Sequence, residues 1–393
     1  MKKILLGSLA LSSIVFANGY KIPESSTDAV ALSAACIANA NGADASYYNP
    51  ANMAFDKKTQ SIELDVTYIG LSKVHYKGTT AVRVLGLVPT DTKSKSEDFV
   101  VPTLHYVSSE FGKLRFGLSV VSPGGLSKRW EESPAKLYAE EFSLKTVEIN
   151  PTFSYKFNDQ VAIGGGLRAI YSDGTVKNYY YDMTGDSWDF GYNLALTIRP
   201  VKEISVALTY RSKVDLNISG DTSKTATRIS SNVDVSLPIP ATFSFAMAYT
   251  WNDTTTIEGV FEKTYWSEYD TLDFDFDNAT NEAALGQPIA KDWEDSTTFR
   301  LGLTHKMDAI TLMAGYAYDN TPVPNATLSY ELPSSNGNIY SLGVKYQMNE
   351  NLEFALAGLT SIYKDRKVDN AVLKGEFSDN QTYLVSASME YRF

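Results

Sequence analysis

Three histidines (His75, His105, His305) and one cysteine (Cys36) are the chain's main resources for nucleophilic or zinc chemistry. A lipase-type hydrolase needs a serine beside a histidine that takes its proton. His105, between Leu104 and Tyr106, is the candidate, but no Gly-x-Ser-x-Gly accompanies it. A hydrogen-bonded structural role is expected instead. No His-Glu-x-x-His motif or cysteine pair suggests zinc. Asp273, Asp275 and Asp277 copy the start of a calcium loop. Asn278 then stands where that loop needs glycine, and Ala284 where it needs glutamate. That leaves an acidic segment able to touch surface divalent ions. Gly164-Gly165-Gly166 has no helix after it to cradle a phosphate. Leu32-Ser33-Ala34-Ala35-Cys36 loosely imitates a lipidation site, but polar Asn18 to Asp28 separates it from the leader. Cys36 is expected to be a small buried residue. The expectation is no enzyme, no cofactor and no metal.

The elements around these residues point elsewhere. The chain has 35 basic and 46 acidic residues and a formal charge of −11, which argues against a nucleic-acid partner. Lys2 and Lys3 precede an apolar run from Ile4 to Phe16, and small residues follow. This reads as a secretory leader, residues 1–17, cleaved after Ala17. No later stretch holds about eighteen apolar residues without a charge, so a helical membrane span is excluded.

The recurring signal has period two. Trp188, Phe190, Tyr192, Leu194, Leu196 and Ile198 alternate with Asp189, Gly191, Asn193, Ala195 and Thr197. Successive strand side chains point to opposite faces, so this is a strand with one greasy and one polar side. Ile62 to Tyr68, Leu114 to Val120, Phe243 to Trp251 and Tyr383 to Phe393 repeat the pattern. Tight turns (111–112, 158–159, 200–203, 252–253, 307–308, 349–351) alternate with longer polar connections (71–98, 124–140, 172–186, 211–230, 268–296, 320–336, 363–381). The polar faces are rich in Gly, Ser, Thr and Ala. The chain closes on Tyr391-Arg392-Phe393, with its last aromatic on the greasy face. Together these favour a transmembrane antiparallel up-and-down β-barrel of about fourteen strands over a soluble sandwich. Such a barrel has more lumen than its own side chains fill. Residues 18–58 lack alternation and are rich in alanine, so they are expected to form an N-terminal plug inside a barrel of residues 59–393.

Several segments resemble the FadL family. They are Asn18-Gly19-Tyr20-Lys21-Ile22-Pro23-Glu24, Asp44 to Met53 with Asn49-Pro50-Ala51, Pro123-Gly124-Gly125-Leu126 and Ile149-Asn150-Pro151-Thr152. Leu237 to Ala241, Tyr265-Trp266-Ser267, Phe299 to Gly302 and Ala314 to Pro324 continue the likeness. Cys36 and Gly124 depart from the family pattern; many members carry an aromatic at the position of Gly124. The resemblance implies a monomeric outer-membrane barrel that moves long-chain fatty acids or aromatic and aliphatic hydrocarbons inward without an energy source. It implies entry through the outer loops and lateral exit at an inward kink of the third strand, beside Asn49-Pro50-Ala51. Pro123, Gly124, Gly125 and Leu126 are the exit candidates. It also implies outer-membrane lipid as surroundings, with the strand ending in Phe393 read by the assembly machinery.

Parity places Arg115, Arg168, Arg211, Arg300 and Lys345 on lumen-facing sides. Each either meets a fatty acid carboxylate or pairs with lumen acids such as Glu63, Asp65, Glu148, Glu258 and Glu262. A non-specific porin, a barrel-anchored adhesin and an outer-membrane lipase are the rival readings.

Overall fold

A computed structural model describes residues 19–56 and 60–393. The leader assigned to 1–17 and the boundary at 58/59 fall outside the described residues. Fourteen strands form the wall: β1 Ser61–Leu71, β2 Glu97–Val107, β3 Leu114–Val121, β4 Glu141–Lys156, β5 Val161–Lys177, β6 Tyr181–Val201, β7 Ile204–Arg211, β8 Thr242–Trp251, β9 Thr255–Thr264, β10 Ser296–Met307, β11 Ile310–Asp319, β12 Gly337–Gln347, β13 Leu352–Tyr363 and β14 Gln381–Arg392. Sequential neighbours pair antiparallel, and β1 also pairs with β14 from Ser61↔Arg392 to Leu71↔Thr382. The sheet closes on itself, so no edge is left to be satisfied in lipid.

Closure explains the alternation. Phe190 on β6 is 73% exposed, and Leu64, Val66, Met247, Leu301 and Leu342 share its outward side. Their solvent is hydrocarbon. Exposed aromatics gather at two levels. Phe111, Phe157, Trp251, Tyr346 and Phe393 lie at the short-turn end, and Tyr68, Tyr316, Tyr340 and Tyr383 toward the other. Rings at both levels match the amphipathic layers of a bilayer.

The long connections are more ordered than their polarity suggested. Residues 172–186 were expected as a loop. Instead β5 and β6 stay paired up to Lys177↔Asp182 and turn over 178–180. Residues 211–230 likewise hold Val214–Thr225, which pairs with Asn232–Ile239. The β5–β6 extension is mostly polar, whereas Val214, Leu216 and Ile218 with Val233, Val235 and Ile239 opposite form an apolar stripe that is buried in the protein rather than turned to lipid. Segments His75–Val82, Gly86–Lys93, Arg366–Asp369 and Leu373–Ser378 form a separate four-stranded sheet.

Residues 19–56 pack against inward-facing side chains of the wall. They comprise α1 (Thr27–Ala31), α2 (Ala45–Tyr48) and a 3-10 turn, Pro50–Phe55. Ser26 caps α1 by accepting from the Ala29 amide. Nearly every residue of the segment is buried. Small residues let it approach the wall. A Cβ on Gly302 would come within 2.9 Å of the Ala35 carbonyl oxygen, and one on Gly164 within 2.5 Å of the Ala51 amide.

Candidate functional site

Polar lumen side chains hold the N-terminal segment, and each bond can be traced. Glu258 accepts from three consecutive amides, Ile37 (2.6 Å), Ala38 (2.6 Å) and Asn39 (3.0 Å). Asp65 accepts from the Thr27 amide at 2.7 Å. His105 sits between the Ser25 carbonyl (Nε2, 2.9 Å) and the Ser119 hydroxyl (Nδ1, 3.0 Å). Ser119 in turn meets Ser46 at 2.7 Å. Both Ser119 and His105 are fully buried, so this serine–histidine pair fastens one segment to another.

The five lumen cations face inward as parity predicts, and each has partners. Arg115 donates to the Met53 and Asp56 carbonyls, both at 2.9 Å. Arg168 binds Glu148 at 3.0 Å and the Ser212 carbonyl at 2.6 Å. Arg211 pairs with the same Glu148 and lies 4.2 Å from the centre of the Tyr47 ring. Arg300 reaches the Ser33 carbonyl (3.0 Å) and Glu262 (3.2 Å). Lys345 pairs with Asp28 (2.6 Å) and Glu353 (3.3 Å). Four of the five therefore touch the N-terminal segment directly.

The wall is irregular at β3. The β2–β3 ladder runs only from Leu104↔Val120 to Val107↔Gly117. Beyond Val121 the chain continues as Gly125–Arg129, paired with β4 alone. Val121 faces Glu148 and Gly125 faces Lys145, so three residues, Ser122-Pro123-Gly124, oppose two. This bulge bends the strand. Its backbone finds partners inside: Ile22 donates to the Pro123 carbonyl (3.0 Å) and Gly125 to the Tyr20 carbonyl (2.7 Å). A Cβ on Gly124 would come within 2.9 Å of Ile239 and 3.0 Å of the Tyr20 carbonyl oxygen, so the close approach depends on glycine. Contact with β2 resumes where Lys95 donates to the Arg129 carbonyl (2.9 Å) and Glu97 accepts from Ser127 and Arg129.

The candidate exit residues separate into two places. Pro123, Gly124 and Gly125 meet Tyr20 to Ile22. Asn49 donates instead to the Ile37 carbonyl (2.8 Å) and to Thr197 on β6 (2.9 Å), while Pro50 and Ala51 pack on Gly164 of β5.

Leu126, just past the bulge, lines an apolar cavity of about 80 Å³ with Tyr20, Phe142, Met183, Tyr269 and Trp293. Tyr20 stands edge-on to Trp266 at 4.8 Å, and Trp266 to Trp293 at 4.9 Å. The Tyr20 hydroxyl donates to the Pro238 carbonyl. The cavity's cation is Lys291, paired with Glu331 at 2.5 Å. Burial opposes the charge on Lys291, yet Glu331 beside it holds its pKa above the ordinary lysine value. Sequence reading missed Lys291, because strand parity says nothing about a loop. The available signal was Trp266 and Trp293 within otherwise polar connections.

A second cavity, about 60 Å³, lies where Ile22, Pro23, Tyr48 and Pro123 meet Arg211 and Arg300. A third, about 200 Å³ and mostly polar, opens toward the short-turn end between Asp28, Asp44, Glu258, Lys306, Glu353 and Arg392. Among the described residues no three His, Cys, Asp or Glu side chains converge as metal ligands. Residues 273–278 lead instead into a helix, Ala279–Leu285, capped by Asn278.

Residues 8–183 and 179–393 match the family model for the outer membrane protein transport proteins OMPP1/FadL/TodX. A long-chain fatty acid transport protein of Escherichia coli O6:H1 is 23% identical over 351 residues, covering 75% of this chain and 77% of that protein. Outer membrane protein P1 of Haemophilus influenzae is 22% identical over 303 residues, covering 65% and 64%. The crystal structure of a Pseudomonas aeruginosa FadL homologue superposes with a TM-score of 0.87 at 20% identity, over 96% of this chain and all of that one. The Pseudomonas putida toluene transporter TodX gives 0.70 at 16%, over 95% and 99%. Matched along nearly its whole length and closed as the barrel its relatives form, the chain is an outer-membrane protein belonging to the OMPP1/FadL/TodX family of fatty acid and hydrophobic-compound transporters.

Proposed function

We propose that this chain is a passive outer-membrane channel that binds a hydrophobic small molecule in its outer half and releases it sideways at β3. The observation that carries this reading is the adjacency of the apolar cavity, through Leu126 and Tyr20, to the bulge where β2 and β3 part. Residues 19–56 act as the plug. They block straight passage and supply the backbone that the bulge would otherwise lack.

Physical chemistry favours this route. Each CH₂ buried from water gains roughly 0.8 kcal/mol, so an apolar cargo prefers wall and membrane to the polar cavity below. A water-sized group needs about 10–15 Å³ of cavity space. The outer cavity, about 80 Å³, thus suits one ring or a short chain without rearrangement. A long acyl chain would thread on toward the second cavity, past Pro123. Lys291 is the cation we assign to a ligand carboxylate, sharing it with Glu331. A hydrocarbon needs no such group.

The test is uptake in cells lacking other transporters of the family. Removing one residue of Ser122-Pro123-Gly124 lets β3 keep register with both neighbours, and should cut hydrophobic uptake while leaving sugar permeation unchanged. Asn49→Ala should also reduce it by unseating the plug. Loss of sugar flux with intact hydrophobic uptake would favour a porin. Lipid hydrolysis abolished by changing His105 would favour an enzyme.

A further inference from the structure

The outer cavity is electrically neutral, and that constrains the charge of what it can hold. Of the 22 residues lining it, Lys291 and Glu331 alone carry charge. They neutralise each other at 2.5 Å, with side chains only 6% and 16% exposed. Neither has a second ionic partner among the described residues. Tyr20, Tyr181 and Tyr269 are the other ionisable groups nearby, and all are neutral phenols at pH 7.

The pair is anchored on both sides. The Lys291 amide donates to the Asp270 carbonyl at 2.7 Å, and the Thr327 hydroxyl donates to the Lys291 carbonyl at 2.5 Å. The Ser329 hydroxyl bonds the Glu331 carboxylate. Next to Glu331 the Tyr330 ring is wedged against Trp130 (4.9 Å) and Tyr76 (5.2 Å), and its hydroxyl meets Thr80 at 2.7 Å. Glu331 is thereby hindered from withdrawing in favour of a rival anion. A fatty acid anion drawn to Lys291 would set two negative charges beside one positive in a buried apolar space. Burying an unpaired charge is costly. Two carboxyls forced into one site relieve it by keeping one proton between them.

We infer, resting on the proposed placement of a ligand carboxyl at Lys291, that the cavity binds a fatty acid together with one proton, held between the ligand carboxyl and Glu331. Uncharged oxygen-bearing amphiphiles of similar size, such as alcohols, bind with no proton. The proton comes from water as the anion docks, and Lys291 stays charged throughout. Glu331 thus sets the protonation state of the cargo. A neutral acid also suits sideways release, because no charge is then drawn past the wall into hydrocarbon.

Calorimetry on the detergent-solubilised full chain tests this with octanoate and octanol, each corrected by a titration into micelles alone. Free octanoate is ionised at pH 7. Its binding enthalpy, compared across buffers of different ionisation enthalpy, should show about one proton taken up per octanoate, and none for octanol. Between pH 6 and 8 octanoate should weaken about tenfold per pH unit while octanol stays level. Glu331→Gln leaves Lys291 unpaired, so octanoate should then bind without proton uptake and without that slope. Assembly of each variant is checked by the heat-dependent gel mobility of the barrel; the measurement on the parent needs no variant. Octanoate that binds the parent without proton uptake, yet loses affinity in Lys291→Met, would overturn the proton and leave the carboxyl at Lys291. Octanoate affinity unchanged in Lys291→Met would overturn that placement and the proposal with it. Proton uptake persisting in Glu331→Gln would place the proton on another group and overturn the role of Glu331.

Discussion

Glu258→Gln should loosen the N-terminal segment without altering the wall. The carboxylate accepts from the Ile37, Ala38 and Asn39 amides at 2.6, 2.6 and 3.0 Å. A hydrogen bond to a charged group contributes about 1.5–3 kcal/mol, so three give a gross of roughly 5–9 kcal/mol. Glutamine keeps one acceptor oxygen and turns an amide group toward a backbone donor. The polar cavity lined by Glu258 and Asn39 can supply water to the freed amides. We therefore expect a net loss of about 2–4 kcal/mol. At about 1.4 kcal/mol per tenfold change, the undocked population rises by roughly 30- to 1,000-fold. Hydrogen exchange at the amides of residues 37–39 reads this directly, and planar-bilayer conductance reads the resulting leak. Amide exchange within threefold of the parent, in a variant shown to be assembled, would mean these bonds do not hold the segment.

Three further outcomes follow from the same geometry. Lys291→Met should weaken binding of a fatty acid about tenfold and leave toluene binding unchanged, measured by quenching of the nearby tryptophans; an equal effect on both would remove Lys291 from carboxylate recognition. Gly124→Leu should lower hydrophobic uptake several-fold, because its side chain must enter space held by Ile239 and Tyr20; unchanged transport would show that the close approach is dispensable. Docking of the N-terminal segment should weaken as pH rises. Burial raises the Glu24 pKa from 4.5 to about 7, so below pH 4.5 both docked and free forms are protonated. Between the two values only the free form ionises, and above 7 the penalty levels at roughly 3 kcal/mol. Protection of the segment's amides, taken relative to their intrinsic exchange rate at each pH, should fall from pH 5 to 8 more steeply in the parent than in Glu24→Gln; an equal fall in both would sink the assignment.

The sequence revealed most wherever one side of a strand meets lipid. Trp188 to Ile198 alternates because hydrocarbon and lumen demand opposite chemistries, so β6 and its neighbours were legible residue by residue. Parity also gave the side on which Arg115, Arg168, Arg211, Arg300 and Lys345 lie. It could not give their partners, because Met53, Tyr47, Ser33 and Asp28 approach from a segment with no periodic signal. Residues 172–186, the outer ends of β5 and β6, were read as loop, because their inward apolar residues, Val176, Tyr181 and Met183, are too few among polar ones to show a stripe. The separation of Asn49-Pro50-Ala51 from Pro123 reflects the path of the N-terminal segment across the lumen, which no local pattern encodes. The cavity around Tyr20, Trp293 and Lys291 is hidden for the same reason: its lining spans more than three hundred residues of sequence.

The two halves of the lumen differ in a way that constrains any route through it. The outer cavity is walled by Leu126, Phe142, Met183, Phe274 and Trp293. The inner one is walled by Asp28, Asp44, Glu258, Glu353, Lys345 and Arg392, and the N-terminal segment stands between them. A twelve-carbon chain leaving the first for the second would forfeit roughly 10 kcal/mol of apolar burial at about 0.8 kcal/mol per CH₂. Passing between β2 and β3 instead keeps it against protein and then lipid throughout. An opening there would ordinarily strand backbone donors and acceptors in hydrocarbon. Tyr20 and Ile22 remove part of that cost by pairing with Pro123 and Gly125. In the proposed mechanism the same few residues therefore floor the cavity, seal the bulge and stop the axial path. Movement of Tyr20 to Ile22 would open all three together, coupling release to the presence of cargo above.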